Sequence, residues 1–256
     1  MTVAIVTGAG SGIGRAVSVK LSELGHTVVL VGRTKATLEA VAAEIGKTGE
    51  TLVAPADVSK PHEVQEIIRQ AVAAFGRVDV LVNNAGYAPN VGLAALSVEQ
   101  WREIMDINLS ASFYATKAVW PVMARQHAEH LATHRTSGVR VGEMDRKVST
   151  GGVIVNISSM AARDPFPGLG AYAIAKLGVN MLTKVTAREG AEQGIRAYAV
   201  APAGVETGMF RSLATEQEVP HSEILEPEEV AEVVGACAGG ALWNMNGEVV
   251  WVHRRV

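Results

Sequence analysis

The chain has 256 residues, 48% of them apolar and 19% charged, with a formal net charge of −3. That length suffices for one sizeable α/β domain whose core needs no metal or disulfide, and the composition excludes a disordered chain. The slightly acidic balance argues against a nucleic-acid or anionic-membrane partner, and the single cysteine, Cys237, excludes an intrachain disulfide and suits a reducing compartment.

Short β-branched runs alternate with longer helical patterns along the chain. Candidate strands fall at 3–7, 27–31, 51–54, 78–82, 153–157, 197–200 and 249–252. Candidate helices fall at 12–24, 35–45, 61–75, 98–126, 171–193 and 227–238, with Pro61 and Pro227 where a first helical turn tolerates proline. Most strand runs are continuously apolar, as in a parallel sheet covered on both faces. The alternation predicts an α/β doubly wound (Rossmann-type) parallel seven-stranded sheet with helices on both faces, a single domain over 1–256. Ligands then bind outside the C-terminal ends of the strands. No run approaches the ~20 apolar residues of a membrane span. The start lacks a basic leader region, so a soluble, cytoplasmic protein is expected.

Residues 127–150 break the alternation, being polar, basic and only loosely periodic; they read as an insertion. His127, His130 and His134 would share one face of a helix, a spacing that can ligate zinc. The segment leads toward the N-terminal end of a strand, away from the expected site. No metal is assigned, and contact with another subunit is the better reading.

Thr7-Gly8-Ala9-Gly10-Ser11-Gly12-Ile13-Gly14-Arg15 joins the first strand to the first helix. Glycines permit a tight turn and let backbone N–H groups approach a pyrophosphate, which also gains from a helix N-terminus. The position between strand and helix makes this a dinucleotide loop, with Gly8, Ser11, Gly12, Ile13 and Gly14 as contacts. At the end of the second strand the chain reads Val31-Gly32-Arg33-Thr34. The carboxylate that would hold a ribose diol is missing, and a guanidinium suited to a phosphate follows. Arg33 and Thr34 therefore favour NADP over NAD, although Ser11 leaves the loop without a second basic residue.

Tyr172 and Lys176 stand four apart in a helical stretch and so share a face, thirteen and seventeen residues after Ser159. A tyrosine titrates near ~10, too high for neutral acid–base work. An adjacent ammonium, with an oxidised nicotinamide, is expected to lower that value. Ser159 can hydrogen-bond a substrate carbonyl or alkoxide.

Together these motifs resemble the short-chain dehydrogenase/reductase family, 3-oxoacyl-reductase-like, over nearly the whole chain. Further matching segments are Asp57-Val58, Asn83-Asn84-Ala85-Gly86, Asn108 and Pro202-Ala203-Gly204-Val205-Glu206-Thr207. The resemblance implies that Tyr172 is the general acid/base, that Ser159 orients the carbonyl, and that Lys176 tunes Tyr172 and binds the nicotinamide ribose. By the same resemblance Asn108 interrupts its helix and holds a water in a proton relay. Asp57 and Val58 would contact adenine, Asn84 would brace the central strands, and Ala85 and Gly86 complete that motif. Pro202, Val205 and Thr207 would lie at the nicotinamide carboxamide. Ala203 departs from the family's Pro-Gly, where a Cβ would perturb the backbone.

Residues 207–227 are expected to form a short substrate lid, with Met209, Phe210 and Leu213 facing a pocket beside Tyr87, Arg163 and Phe166. The implied function is NADP-dependent hydride transfer between nicotinamide and a small-molecule carbonyl or secondary alcohol. An NAD-linked alcohol or diol dehydrogenase is the nearest alternative, and a non-catalytic dinucleotide-binding sensor the alternative from another class. The resemblance also implies a homo-oligomer, dimer or tetramer, assembled through the helices at 98–126 and 171–193.

Overall fold

A computed structural model describes residues 1–46, 49–136 and 150–254. Seven strands form one parallel sheet in the order β3-β2-β1-β4-β5-β6-β7. They are β1 (Thr2–Thr7), β2 (His26–Gly32), β3 (Thr51–Pro55), β4 (Val80–Asn83), β5 (Gly152–Ile157), β6 (Ile195–Pro202) and β7 (Val249–Val252). Helices α1 (Gly12–Glu23), α2 (Lys35–Ile45) and α8 (Pro227–Ala238) cover one face. The other carries α3 (Pro61–Phe75), α5 (Ala111–Thr136) and α6 (Gly170–Gly190). Two short helices, α4 (Val98–Met105) and α7 (Gly208–Arg211), lie in the connections.

The apolar runs explain this layering. Along β2, Val28 and Leu30 join the α1/α2/α8 core, whereas Val29 and Val31 join the α3/α5 core. A strand buried on both faces has no polar side to keep, hence its continuous apolar sequence. Helix ends follow local chemistry: Pro61 opens α3, and Gly76 closes it with φ +77°, a left-handed conformation that glycine adopts without strain. Ser97 and Gln100 cap α4 reciprocally, as Glu226 and Glu229 cap α8 behind Pro227.

Three boundaries differ from the sequence expectation. The fourth strand starts at Val80, because the backbone N–H and carbonyl of Val78 are taken by the Gln126 side-chain amide. The expected helix over 98–126 is two helices joined by a π turn at Asp106–Ser110. Its second part runs on to Thr136, so the first ten residues of the expected insertion extend α5. His127 Nδ1 lies 2.6 Å from Thr150 Oγ1, a tie across the segment rather than a free ligand. The side chain of His134 and residues 137–149 lie outside the described residues. No helix among the described residues is long and apolar enough to cross a membrane.

The strand order reverses at β1, whose neighbours are β2 and β4. A crevice therefore opens beyond the C-terminal ends of β1 and β4. The glycine loop, the segment after β4 and the segment after β5 all converge there.

Candidate active site

The glycine loop is a tightly packed turn. Gly8 and Gly12 hold φ +66° and +50°, where a side chain would be strained. A Cβ at Gly14 would collide with the Gly8 carbonyl oxygen and would come within 2.5 Å of Asn84 Nδ2. A Cβ at Gly12 would meet the Thr207 methyl at 2.9 Å, so the segment after β6 closes against the loop. Ser11 stands in extended backbone as the N-cap of α1, exposed, and Ile13 packs against the α1/α2/α8 core.

Asn84 joins this turn to β4. Its amide donates to the carbonyls of Thr7 (2.9 Å) and Gly8 (3.3 Å), and its backbone N–H donates to Thr7 Oγ1 at 2.9 Å. Ala85 N–H donates to the same hydroxyl at 3.1 Å, which in turn donates to Val82 O. Thr7 thus organises both segments, and the sequence reading missed its role. The available signal was a hydroxyl at the end of a buried strand, immediately before a glycine.

Arg33 and Thr34 are exposed beyond β2. Burial opposes ionisation of Asp57, but hydrogen bonds from Ser59 and the charges of Lys60 and Arg33 outweigh it and hold the carboxyl below its usual range. Arg33 and Asp57 therefore share one rim of the crevice. Val58 is buried within the α3/α5 core.

Around Tyr172 the geometry is compact. Lys176 is buried in α6, and its ammonium donates to the Ile157 carbonyl at 2.8 Å. It lies 5.6 Å from the centroid of the Tyr172 ring. Ser159, at the end of β5, caps a 3-10 turn by accepting from Ala161 N–H at 3.1 Å. Asn108 is fully buried in the π turn. Its amide donates to Tyr87 O (2.7 Å) and Ile104 O (2.9 Å), and its Oδ1 accepts from Tyr87 N–H at 3.1 Å. The side chain thus satisfies a carbonyl that the helix would otherwise pair itself, which accounts for the π turn. A Cβ at Gly86 would lie 3.1 Å from Asn108 Oδ1 and 3.7 Å from Lys176 Nζ. The missing side chain at Gly86 leaves room beside both groups.

The electrostatics depart from expectation in one respect. Burial pushes the Tyr172 phenol above its ordinary value, and its hydrogen bond with Ser159 opposes this only in part. Burial also pulls Lys176 down to about 8. The lysine therefore does not lower the tyrosine in the protein alone. Its ammonium donates to a backbone carbonyl and lies over the ring, 5.6 Å from the centroid.

A buried amide chain beneath the site was also missed: Asn83 Nδ2 donates to Asn156 Oδ1, and Asn156 Nδ2 to Thr183 Oγ1, both at 2.8 Å. It links β4 and β5 to α6. After β6, Ala203 N–H donates to Val252 O and its φ is not positive, so the departure from Pro-Gly introduces no backbone strain. Pro202 and Val205 are buried, and Thr207 caps α7. Of the expected pocket residues, Tyr87, Phe166 and Met209 are exposed, whereas the Arg163 guanidinium stacks 5.8 Å from the Trp251 ring centroid.

A glycine cradle at the switch point of a parallel sheet, beside a serine, a tyrosine and a buried lysine, fits a dinucleotide and defines a nicotinamide-dependent oxidoreductase. The short chain dehydrogenase family model matches residues 2–218. The chain is 34% identical to a 3-oxoacyl-[acyl-carrier-protein] reductase from Synechocystis, over 97% of this chain and 96% of the relative. Against the enzyme of that name from Staphylococcus epidermidis it is 32% identical, over 98% and 96%. A 3-ketoacyl-(acyl-carrier-protein) reductase from Brucella melitensis, solved with NADH, matches with a TM-score of 0.85 at 29% identity, covering 98% of this chain and 96% of that one. The chain belongs to the short-chain dehydrogenase/reductase family. It is an NAD(P)-dependent oxidoreductase acting on C=O and CH–OH groups.

Proposed function

We propose that the chain is an NADP-dependent reductase of a 3-oxoacyl or related carbonyl compound, reversible with the secondary alcohol. Tyr172 is the general acid/base in this reading, Ser159 orients the carbonyl, and Lys176 and Asn108 serve the proton route. The observation that carries it is the placement of Lys176 Nζ, bonded to the Ile157 carbonyl and over the Tyr172 ring, beside the open space at Gly86 that Asn108 also borders. When bound, the dinucleotide supplies the hydride to the carbonyl carbon. Tyr172 gives its phenolic proton to the oxygen that becomes negative, and the burial that raises its pKa keeps that proton available at neutral pH. Lys176, at about 8, exchanges a proton near working pH and can restore the phenol.

The glycine loop, with Gly8, Gly12 and Gly14, would hold the pyrophosphate, and Asp57 and Val58 would lie toward adenine. Arg33 and Thr34 would take a 2′-phosphate. Asn84, Ala85 and Gly86 would wall the crevice, and Pro202, Val205 and Thr207 would hold the carboxamide. NADH in the Brucella relative favours the NAD-linked alternative. The proposal includes self-association: Ile174, Leu177, Met181 and Val185 form an exposed apolar stripe on α6, and Phe113 is exposed on α5. A second copy of the chain would cover such a face.

A carbonyl panel containing a 3-oxoacyl thioester, assayed with NADPH and NADH, tests this. Faster oxidation of NADPH is expected, with the preference lost in Arg33→Asp. NADH preference in the unmodified protein would refute the NADP assignment.

A further inference from the structure

The segment after β6 is held by charge-assisted contacts that dinucleotide binding does not require. It is anchored at both ends by a parallel bridge between Val205 and Leu225, with Leu225 N–H donating to Gly204 O (2.9 Å) and Glu206 N–H to Leu225 O (2.8 Å). Gly204 is needed at the hinge, because a Cβ there would meet Phe210 at 2.8 Å and Ile224 at 2.9 Å. Within the loop so closed, Arg211 reaches both sides. Its Nη2 and Nε bind the Glu206 carboxylate at 2.5 and 2.9 Å, while its Nη1 donates to Val219 O at 2.8 Å. His221 adds a contact of 2.8 Å to Glu226 and one of 3.9 Å to Glu206. Both members of the Arg211–Glu206 pair are partly buried, at 21% and 28% side-chain exposure, which reduces the solvent screening that weakens fully exposed pairs.

The segment after β7 supplies the second strap. Arg254, two residues beyond β7, donates to Ser222 O at 2.9 Å and pairs with Glu229 at 3.0 Å. Glu229 is the carboxylate that caps α8, so Arg254 fastens the loop to a fixed helix end. The loop carrying Met209, Phe210 and Leu213 is thereby tied to the end of β6, to itself and to the start of α8.

We propose that Arg211 and Arg254 are positioning residues that hold the 205–225 loop in its substrate-ready form, so that the substrate meets a preformed wall. The substrate half of this statement rests on the reductase reading above; the folding of the loop does not. Preorganisation acts on binding rather than on the chemical step, because the ordering cost is met before association.

The test uses the full chain saturated with NADPH, as wild type, Arg211→Met, Arg211→Lys and Arg254→Met. Protease Glu-C reports loop opening by nicking after Glu216 or Glu218. Loss of one charge-assisted contact set corresponds to about tenfold faster nicking in Arg211→Met and Arg254→Met, with Arg211→Lys intermediate. For a carbonyl substrate, KM rises about tenfold while kcat stays within about twofold. Should Arg211→Met fail to fold, Arg254→Met, altered at an exposed side chain, decides alone. Nicking at the wild-type rate in the folded variants overturns the proposal, as does a fall in kcat at unchanged KM. If the wild type turns over no carbonyl, the reductase reading has failed, and the nicking rates still decide the loop.

Discussion

The Lys176 ammonium is spent on the Ile157 carbonyl, 2.8 Å away, rather than on the Tyr172 hydroxyl. A backbone acceptor at the end of β5 fixes the amine in the crevice. Burial without a carboxylate partner then lowers its pKa to about 8.

That value predicts a pH dependence of stability. Between about 8 and 10.5 the unfolded chain carries a proton on this amine that the folded chain has released, so stability rises with pH across that window. Two buried groups oppose the rise. Cys237, pushed up to about 12, and Tyr172, also raised, keep protons that the unfolded chain loses above their ordinary values. Lys176→Met retains both opposing groups. Urea unfolding at about pH 7.5 and 9.5 should show it lacking ~2 kcal/mol of the wild-type gain. Equal pH dependence in the two proteins would contradict the lowered pKa.

Gly14→Ala puts a methyl against the Gly8 carbonyl and the Asn84 amide, so the turn must open. Overpacking of ~1–3 kcal/mol corresponds to ~10–100-fold weaker NADPH binding by fluorescence titration. Gly92→Ala, at a position with no atom within 4 Å and no positive φ, serves as the control and should bind normally. Equal affinity in the two variants would show that the cradle tolerates the methyl.

Asn108→Ala leaves the Ile104 and Tyr87 carbonyls and the Tyr87 N–H without the partner they have now. A loss of ~1–3 kcal/mol is expected in denaturant unfolding. If Asn108 served only as a relay, activity would fall at unchanged stability.

Much of this was legible in the sequence because strand and helix periods differ and because glycine positions mark backbone constraints. The runs at 3–7 and 27–31 read as candidate strands buried on both faces, and the glycine loop lies between β1 and α1 at the switch point of the sheet, as the sequence order implied. What was not legible depended on contacts between distant segments. Gln126 reaches Val78 across 48 positions, and the Asn83–Asn156–Thr183 chain joins three elements. The direction of the Tyr172 shift required knowing how deeply the phenol is buried, which the four-residue spacing does not specify. Half of the loop clamp was hidden similarly, since Arg254 reaches Ser222 only once β7 lies beside β6, whereas Arg211 meets Glu206 and Val219 within the loop itself.

The central claim is that Tyr172 moves the proton while its neighbours hold the carbonyl and the amine. Steady-state NADPH oxidation with an accepted carbonyl substrate, comparing wild type with Tyr172→Phe, tests it most directly. The phenyl ring keeps the packing against Lys176 and removes only the hydroxyl. The predicted result is a kcat lower by ~10²–10⁴-fold with NADPH affinity retained. A variant as active as the wild type would contradict the account.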